Sequence, residues 1–139
     1  TAYHTYHGLD IRIARIFNTY GSRMRVNDGR AIPAFMGQVL RGESLTVFGD
    51  GSQTRSFCFV SDLVDGMMRC MDSDEIGPVN IGNPKEFTII ELAELIKRKL
   101  NDEVDIAFKD LPQDDPMQRK PSIELAYKKL KWKLINNLN

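Results

Sequence analysis

Of 139 residues only two are cysteine and two histidine, and nineteen basic side chains are matched by nineteen acidic ones. Each shortage excludes something. A balanced charge removes the positive surplus through which proteins grip nucleic acid or an anionic membrane surface, so neither partner is expected. No apolar run approaches the ~20 residues of a membrane span, and no basic-then-apolar leader of the secretory type is present. Cys58 and Cys70 form no Cys-x-x-Cys pair and sit among apolar residues, which reads as two reduced core thiols in a cytoplasmic protein. His4 and His7 have no third ligand at a metal spacing, so no metal site is expected. Neither a Gly-x-Gly-x-x-Gly turn after a strand nor a P-loop occurs, and no Ser/His/Asp or Cys/His set has a workable layout. There is no initiating methionine and no clear stop, so the chain reads as a segment of something longer.

What is present alternates between two periods. Tyr6-His7-Gly8 reads as a helix end with a glycine stop, and residues 11–17, IRIARIF, read as a strand. Residues 18–30 read as loop. Residues 31–42 place Ile32, Phe35, Met36, Val39 and Leu40 on one helical stripe ending at Gly42. Strands are predicted over 44–49 and 55–60, then a helix capped by Ser61 and a short strand at 79–82. A second helix is announced by the capping box Thr88/Glu91, with Ile89, Leu92, Ile96 and Leu100 as its buried stripe. A strand over 104–108, a loop, and a last helix capped by Ser122 complete an α/β pattern.

Three loops offer arginines. TVFGDGSQTRSF (46–57) sets glycines 49 and 51, which allow a sharp turn and close approach, beside the planar fork of Arg55. On spacing alone a β-hairpin with a surface arginine is the simpler reading. Arg119 and Lys120 stand between Pro116 and Pro121, either as a rigid anion-binding loop or as a solvated charge run. The third loop, 18–30, leaves a strand end and carries Arg23 and Arg30. Tyr127 and Lys131 have the spacing of a proton-sharing pair but lie on a polar helix and read as surface residues.

RIARIFNTYGSRM, NDGR, LTVFGDGSQTRSFCFVSDLVDGM, VNIGNPKEFTIIELA and DDPMQRKPSI together resemble the C-terminal half of the UDP-glucuronate decarboxylases (UDP-xylose synthases), within the extended short-chain dehydrogenase/reductase family. The resemblance runs from about residue 8 to residue 132 and departs from the family pattern at Ser22, usually proline, and at Lys131-Trp132-Lys133-Leu134. It implies that residues 1–17 are the tail of an NAD-binding Rossmann domain and its last strand. Residues 18–139 would then be mainly an α/β domain that binds the nucleotide sugar. The glycine-rich cofactor loop and the catalytic Tyr-x-x-x-Lys would lie upstream.

The implied chemistry is oxidation of the sugar C4 hydroxyl by NAD, loss of CO₂ from the resulting β-keto acid, and return of the hydride. By resemblance Asn18 contacts the diphosphate, Phe17 and Thr19 border the nicotinamide, and Arg30 approaches both the glucuronate carboxylate and the cofactor. Ile32, Pro33, Ala34, Phe35 and Met36 line the nucleotide-sugar cleft. Thr46, Val47 and Phe48 read uracil, and Gln53, Arg55 and Arg119 hold ribose and pyrophosphate. A homodimer is implied for the whole enzyme, with any membrane anchor upstream. The alternatives are another nucleotide-sugar epimerase or dehydratase, which has no substrate carboxylate for Arg30 to meet, and a catalytically inactive sugar-nucleotide-binding module.

Overall fold

The structure, a computed structural model, describes residues 2–111 and 118–138. In chain order the elements are α1 (Ala2–His7), β1 (Ile13–Ile16), β2 (Thr19–Tyr20), α2 (Ala31–Leu40), β3 (Leu45–Phe48), β4 (Thr54–Ser56) and β5 (Cys58–Phe59). There follow α3 (Val60–Met71), β6 (Pro78–Ile81), β7 (Glu86–Thr88), α4 (Ile89–Leu100), β8 (Ile106–Lys109), β9 (Gln118–Arg119) and α5 (Glu124–Leu130). Pro116, expected to brace Arg119, lies outside the described residues. The sequence divides once, at residue 17, whereas the fold interleaves two compact units: residues 1–19, 57–84 and 121–139 in one, 20–56 and 85–120 in the other. No helix among the described residues is long and apolar enough to cross a membrane.

In the first unit β1 and β6 pair in parallel, Ile13 beside Pro78 through Ile16 beside Ile81. Helices α3 and α5 pack on this pair around Val79, Ile81 and Trp132, none of which is exposed. Gly66 lets α3 come close, since a Cβ there would stand 2.6 Å from Ile81 Cγ2. Ser61 and Ser122 are not the caps expected of them. Helix α3 is capped two residues early, on Phe59, and α5 one residue late, on Ile123, both without a side-chain cap. The buried Asp62 carboxylate in the first turn of α3 accepts from the backbone N–H of Ile135 (3.2 Å) and Asn136 (2.9 Å), which fastens the C-terminal strand of chain across the helix start. Trp132 Nε1 donates to the Asp62 carbonyl at 2.9 Å. Both cysteines are free and buried, and burial pushes the Cys58 thiol up to about 11, as suits an inert core thiol.

In the second unit β3 pairs in parallel with β8, and β7-β4-β9 form a three-stranded sheet. Helix α2 packs on α4 and β3 and buries Ile32, Phe35 and Val39. Met36 and Leu40, placed on that stripe from the sequence, are 41% and 73% exposed, because each follows a stripe residue by one position and so turns about 100° away. Leu100 likewise faces out at the end of α4. The stop at Gly42 is as expected: Gly42 N–H donates to Val39 and Glu43 N–H to Gln38, a Schellman motif around a residue at φ +69°.

The stretch 46–57 is not a hairpin. β3 and β4 belong to different sheets, and the continuous strand expected over 55–60 breaks at Phe57. The turn carbonyls explain why. Gly51 accepts from Ile90 N–H (3.1 Å) and Gln53 from Ile89 N–H (3.0 Å), so the turn is docked on the start of α4 and not folded back on β3. Gly51 sits at φ +75°, and a Cβ there would meet Val47 Cγ1 at 2.9 Å and Ile90 N at 3.2 Å. Gly49, at φ +63°, would meet nothing closer than Leu111 at 3.5 Å. Gly51→Ala is therefore expected to cost about 2–4 kcal/mol of unfolding free energy, left-handed strain plus overpacking, and Gly49→Ala only about 1–2. Urea titration followed by circular dichroism checks the ranking, and equal losses would contradict it.

Candidate functional site

Leu45 N–H donates to Asp105 and Gly49 N–H to Lys109, so the odd-numbered peptides of β3 face β8 and the even ones face the opposite edge. The Val47 side chain is buried with no exposure, while the peptide groups of Thr46 and Phe48 line that outer edge. Two carboxamides dress it. Gln38 of α2 accepts from Thr46 N–H (3.1 Å) and donates to Thr46 Oγ1 (3.0 Å). Gln53, only 5% exposed, donates from Nε2 to the Phe48 carbonyl at 2.9 Å. Gln53 thus braces the turn, and among the described residues the Thr46 carbonyl and Phe48 N–H, two residues apart, have no strand partner on that edge. Phe48 is 42% exposed beside them. Gln38 escaped the sequence reading because its role depends on a strand eight residues away.

On the three-stranded sheet, Arg55 stands between Phe87 and Arg119 in register, so the fold brings two of the three expected arginine positions abreast. Arg119 is described by its backbone position alone. The Arg55 guanidinium donates from Nη1 to the Thr54 carbonyl at 2.8 Å. The flanking residues converge on Glu86, which nothing in the sequence had singled out. Its Oε1 accepts from Thr54 Oγ1 (2.8 Å) and Gln118 Nε2 (2.6 Å), and its Oε2 pairs with Lys120 Nζ at 3.2 Å. One carboxylate therefore ties all three strands together.

Arg30 is the N-cap residue of α2, in extended backbone and without a side-chain cap. Its guanidinium turns to Asp28: Nε pairs with Oδ1, and Nη2 donates to Oδ2 at 2.8 Å. That fork holds the Asp28 carboxyl below its ordinary range and raises Arg30. Of the residues expected to line a cleft, Ile32, Pro33 and Phe35 are buried, Ala34 is half-buried, and only Met36 is exposed. Arg23 takes left-handed backbone at φ 67°.

In the first unit, Phe17, Asn18 and Thr19 follow the carboxyl end of β1, the side on which parallel α/β sheets place ligands. All three are half-buried. Phe17 N–H donates to Ile81 (3.3 Å), the Asn18 carbonyl accepts from Cys58 N–H (2.8 Å), and Thr19 Oγ1 donates to the Phe17 carbonyl (2.8 Å). Tyr127 is 55% exposed and Lys131 lies past the end of α5 at φ 52°, so the two are the surface residues expected.

The model of the NAD dependent epimerase/dehydratase family matches residues 1–82. The chain belongs to that family. This epimerase/dehydratase chain is 57% identical over 130 residues to UDP-glucuronic acid decarboxylase 5 of Arabidopsis thaliana, an alignment covering 94% of this chain and 38% of that protein. It superposes on a UDP-glucose 4-epimerase from Thermotoga maritima, solved with UDP-glucose, at TM-score 0.94 and 25% identity, covering 99% of this chain and 45% of that one. A UDP-glucuronic acid 4-epimerase from Bacillus cereus, in complex with UDP-glucuronic acid and NAD, gives TM-score 0.89 at 27% identity over 99% of this chain and 44% of that one. The chain thus spans less than half the length of the relatives it matches.

The Glu86 hub has a pH signature. Hydrogen bonds from Gln118, then Thr54, then Lys120 hold its carboxyl below the ordinary 4.5, against the opposing effect of burial. A depressed folded value stabilises fully above the unfolded one and is lost as pH falls through it. Wild type is expected to melt above Glu86→Gln at about pH 6, the gap closing as pH drops below about 4. A gap that does not change with pH would mean that the carboxylate charge contributes nothing to the hub.

Proposed function

We propose that this chain carries the substrate-binding residues of an NAD-dependent UDP-glucuronate decarboxylase producing UDP-xylose. The observation that carries the reading is the 57% identity over 130 residues with a UDP-glucuronic acid decarboxylase, set beside a surface suited to such a ligand. The outer edge of β3, with the Thr46 carbonyl as acceptor and Phe48 N–H as donor, matches the donor–acceptor edge of uracil, and the exposed Phe48 ring offers it a face to stack on. Arg55, abreast of Arg119, supplies counter-charge for a pyrophosphate. Asn18 is taken for the diphosphate, and Ala34 and Met36 for the sugar side of α2, whose Ile32, Pro33 and Phe35 support them from the core.

The residues after β1 fit a flat cofactor ring. Phe17 is half-buried and pressed by Gly82, where a Cβ would stand 2.9 Å from Phe17 Cβ, and the Thr19 hydroxyl is oriented by the Phe17 carbonyl. NAD bound there supplies hydride removal from and return to the sugar C4. Arg30 meets the glucuronate carboxylate and orients it so that the bond to C5 stands perpendicular to the C4 carbonyl plane. As CO₂ leaves, the bonding pair passes into that carbonyl, and C5 is then protonated. A bidentate grip favours this by fixing geometry, not by binding tighter. A homodimeric, cytoplasmic enzyme belongs to the same reading.

In the intact protein, UDP-glucuronate with NAD is expected to yield CO₂ and UDP-xylose, followed by mass spectrometry. Conversion to an epimerised UDP-uronate without CO₂ would shift the assignment to a 4-epimerase, the activity named for the Bacillus cereus structure. Arg30→Ala is expected to lower kcat by about tenfold or more with UDP affinity unchanged, and Arg30→Lys to restore only part of it. Arg55→Ala is expected to weaken UDP binding by about 1.5–3 kcal/mol, the range for charge-assisted hydrogen bonds. Calorimetry that finds UDP affinity unaltered would return Arg55 to the solvated surface.

A further inference from the structure

We propose that Gln38 and Gln53 frame the outer edge of β3 so that it offers one acceptor–donor pair in a single register, with Gln38 as a positioning residue for the nucleobase. The inference rests on the reading of that edge given above. Along it the peptide groups run in the order Thr46 N–H, Thr46 carbonyl, Phe48 N–H, Phe48 carbonyl. The Gln38 carboxamide takes the first, accepting from Thr46 N–H at 3.1 Å. The Gln53 carboxamide takes the last, donating to the Phe48 carbonyl at 2.9 Å. Among the described residues the two groups between them have no strand partner on that edge. They fall within about 7 Å of strand, the rise of two residues, which suits one ring bearing a donor beside an acceptor, as uracil does. An added peptide strand needs such groups in succession, and here both neighbours are closed.

Gln38 is held at both ends. Its own carbonyl accepts from Glu43 N–H at 2.9 Å in the glycine stop of α2, the turn that leads the chain into β3. Phe35 and Val39, three residues before and one after, are buried and fix the roll of the helix, which leaves Gln38 beside the strand edge. The chemistry of Thr46 settles which way the carboxamide faces. A backbone N–H only donates, so Oε1 must meet it, and Nε2 is left to donate to Thr46 Oγ1 at 3.0 Å. Thr46 is thus gripped by main chain and side chain together. Because a β-branched side chain is stiff at χ1, holding Oγ1 also steadies the peptide that carries the Thr46 carbonyl. An acceptor fixed before the base arrives leaves less ordering to do on binding. Gln53 is 5% exposed and also braces the turn, whereas Gln38 is half-buried on a helix surface, so Gln38 is the one whose loss spares the fold.

The opposite possibility makes an opposite prediction. If Gln38 competed with the base for Thr46 N–H, removing its head group would tighten UDP binding. In the intact protein, Gln38→Leu keeps bulk and helix propensity without the polar head. It is expected to weaken UDP binding about fivefold by calorimetry, the size of one lost hydrogen-bonded hold. Inorganic pyrophosphate, which has no base, should bind variant and wild type within about twofold of each other, since its contacts lie apart from Gln38. Gln38→Ala carries the same expectations where the leucine variant folds poorly. UDP affinity unchanged or tightened, in a protein whose wild type prefers UDP to pyrophosphate, would overturn the role of Gln38 and leave the site reading standing. Equal losses for UDP and pyrophosphate would overturn it too, because the effect would then be a general loosening. A wild type that binds UDP no more tightly than pyrophosphate would remove the nucleobase edge and this inference with it.

Discussion

The first backbone N–H groups of an α-helix have no partner inside the helix, and the start of α4 is where this protein settles that requirement most completely. Ile89 N–H donates to Gln53, Ile90 N–H to Gly51, and Glu91 N–H to Thr88 Oγ1, while Glu91 returns a carboxylate oxygen to Thr88 N–H at 2.8 Å. Two of these acceptors belong to the glycine turn between β3 and β4. The turn therefore cannot close a hairpin, because its carbonyls are spent on the helix. Gly51 makes the docking possible by accepting a left-handed backbone with Ile90 against it.

From that docking the layout of the proposed recognition surface follows. Because β4 is drawn away, β3 keeps an edge with no strand on it among the described residues, and buried Gln53 spans the turn to cap the Phe48 carbonyl there. β4 meanwhile enters the sheet with β7 and β9, where Arg55 falls beside residue 119 and the Glu86 carboxylate ties the three strands. A helix-start hydrogen-bond requirement thus places a nucleobase-sized edge and an arginine pair of positions on adjoining strands of one unit. The buried glycine and glutamine set where the exposed groups stand.

How much of this the sequence disclosed depends on the range of each interaction. The capping box at Thr88 and the glycine stop at Gly42 were legible because both partners lie within five residues. The stripe of α2 was half legible: its period was right, but only packing on α4 decides that Met36 faces out. The hairpin expectation failed because the partner of β3 is β8, some sixty residues on, and parallel pairing leaves no local mark in a four-residue strand. Ser61 looked like a cap, yet the neighbouring Asp62 is claimed by Ile135 and Asn136 from the far end of the chain. Arg55 and Arg30 were legible as arginines in glycine-bearing loops. Their supports, Glu86 and Asp28, were not, since an acidic residue in a polar loop has many ordinary uses.

Those two acids differ in how much of the fold each holds together. Glu86 has partners on both other strands of its sheet, Thr54 and Gln118, and a third in Lys120 just past β9, so its loss disturbs the sheet that carries Arg55. Asp28 and Arg30 form one partly exposed pair two residues apart, of a kind worth about 0–1 kcal/mol to a fold. A contribution so small leaves the fold nearly indifferent to Asp28.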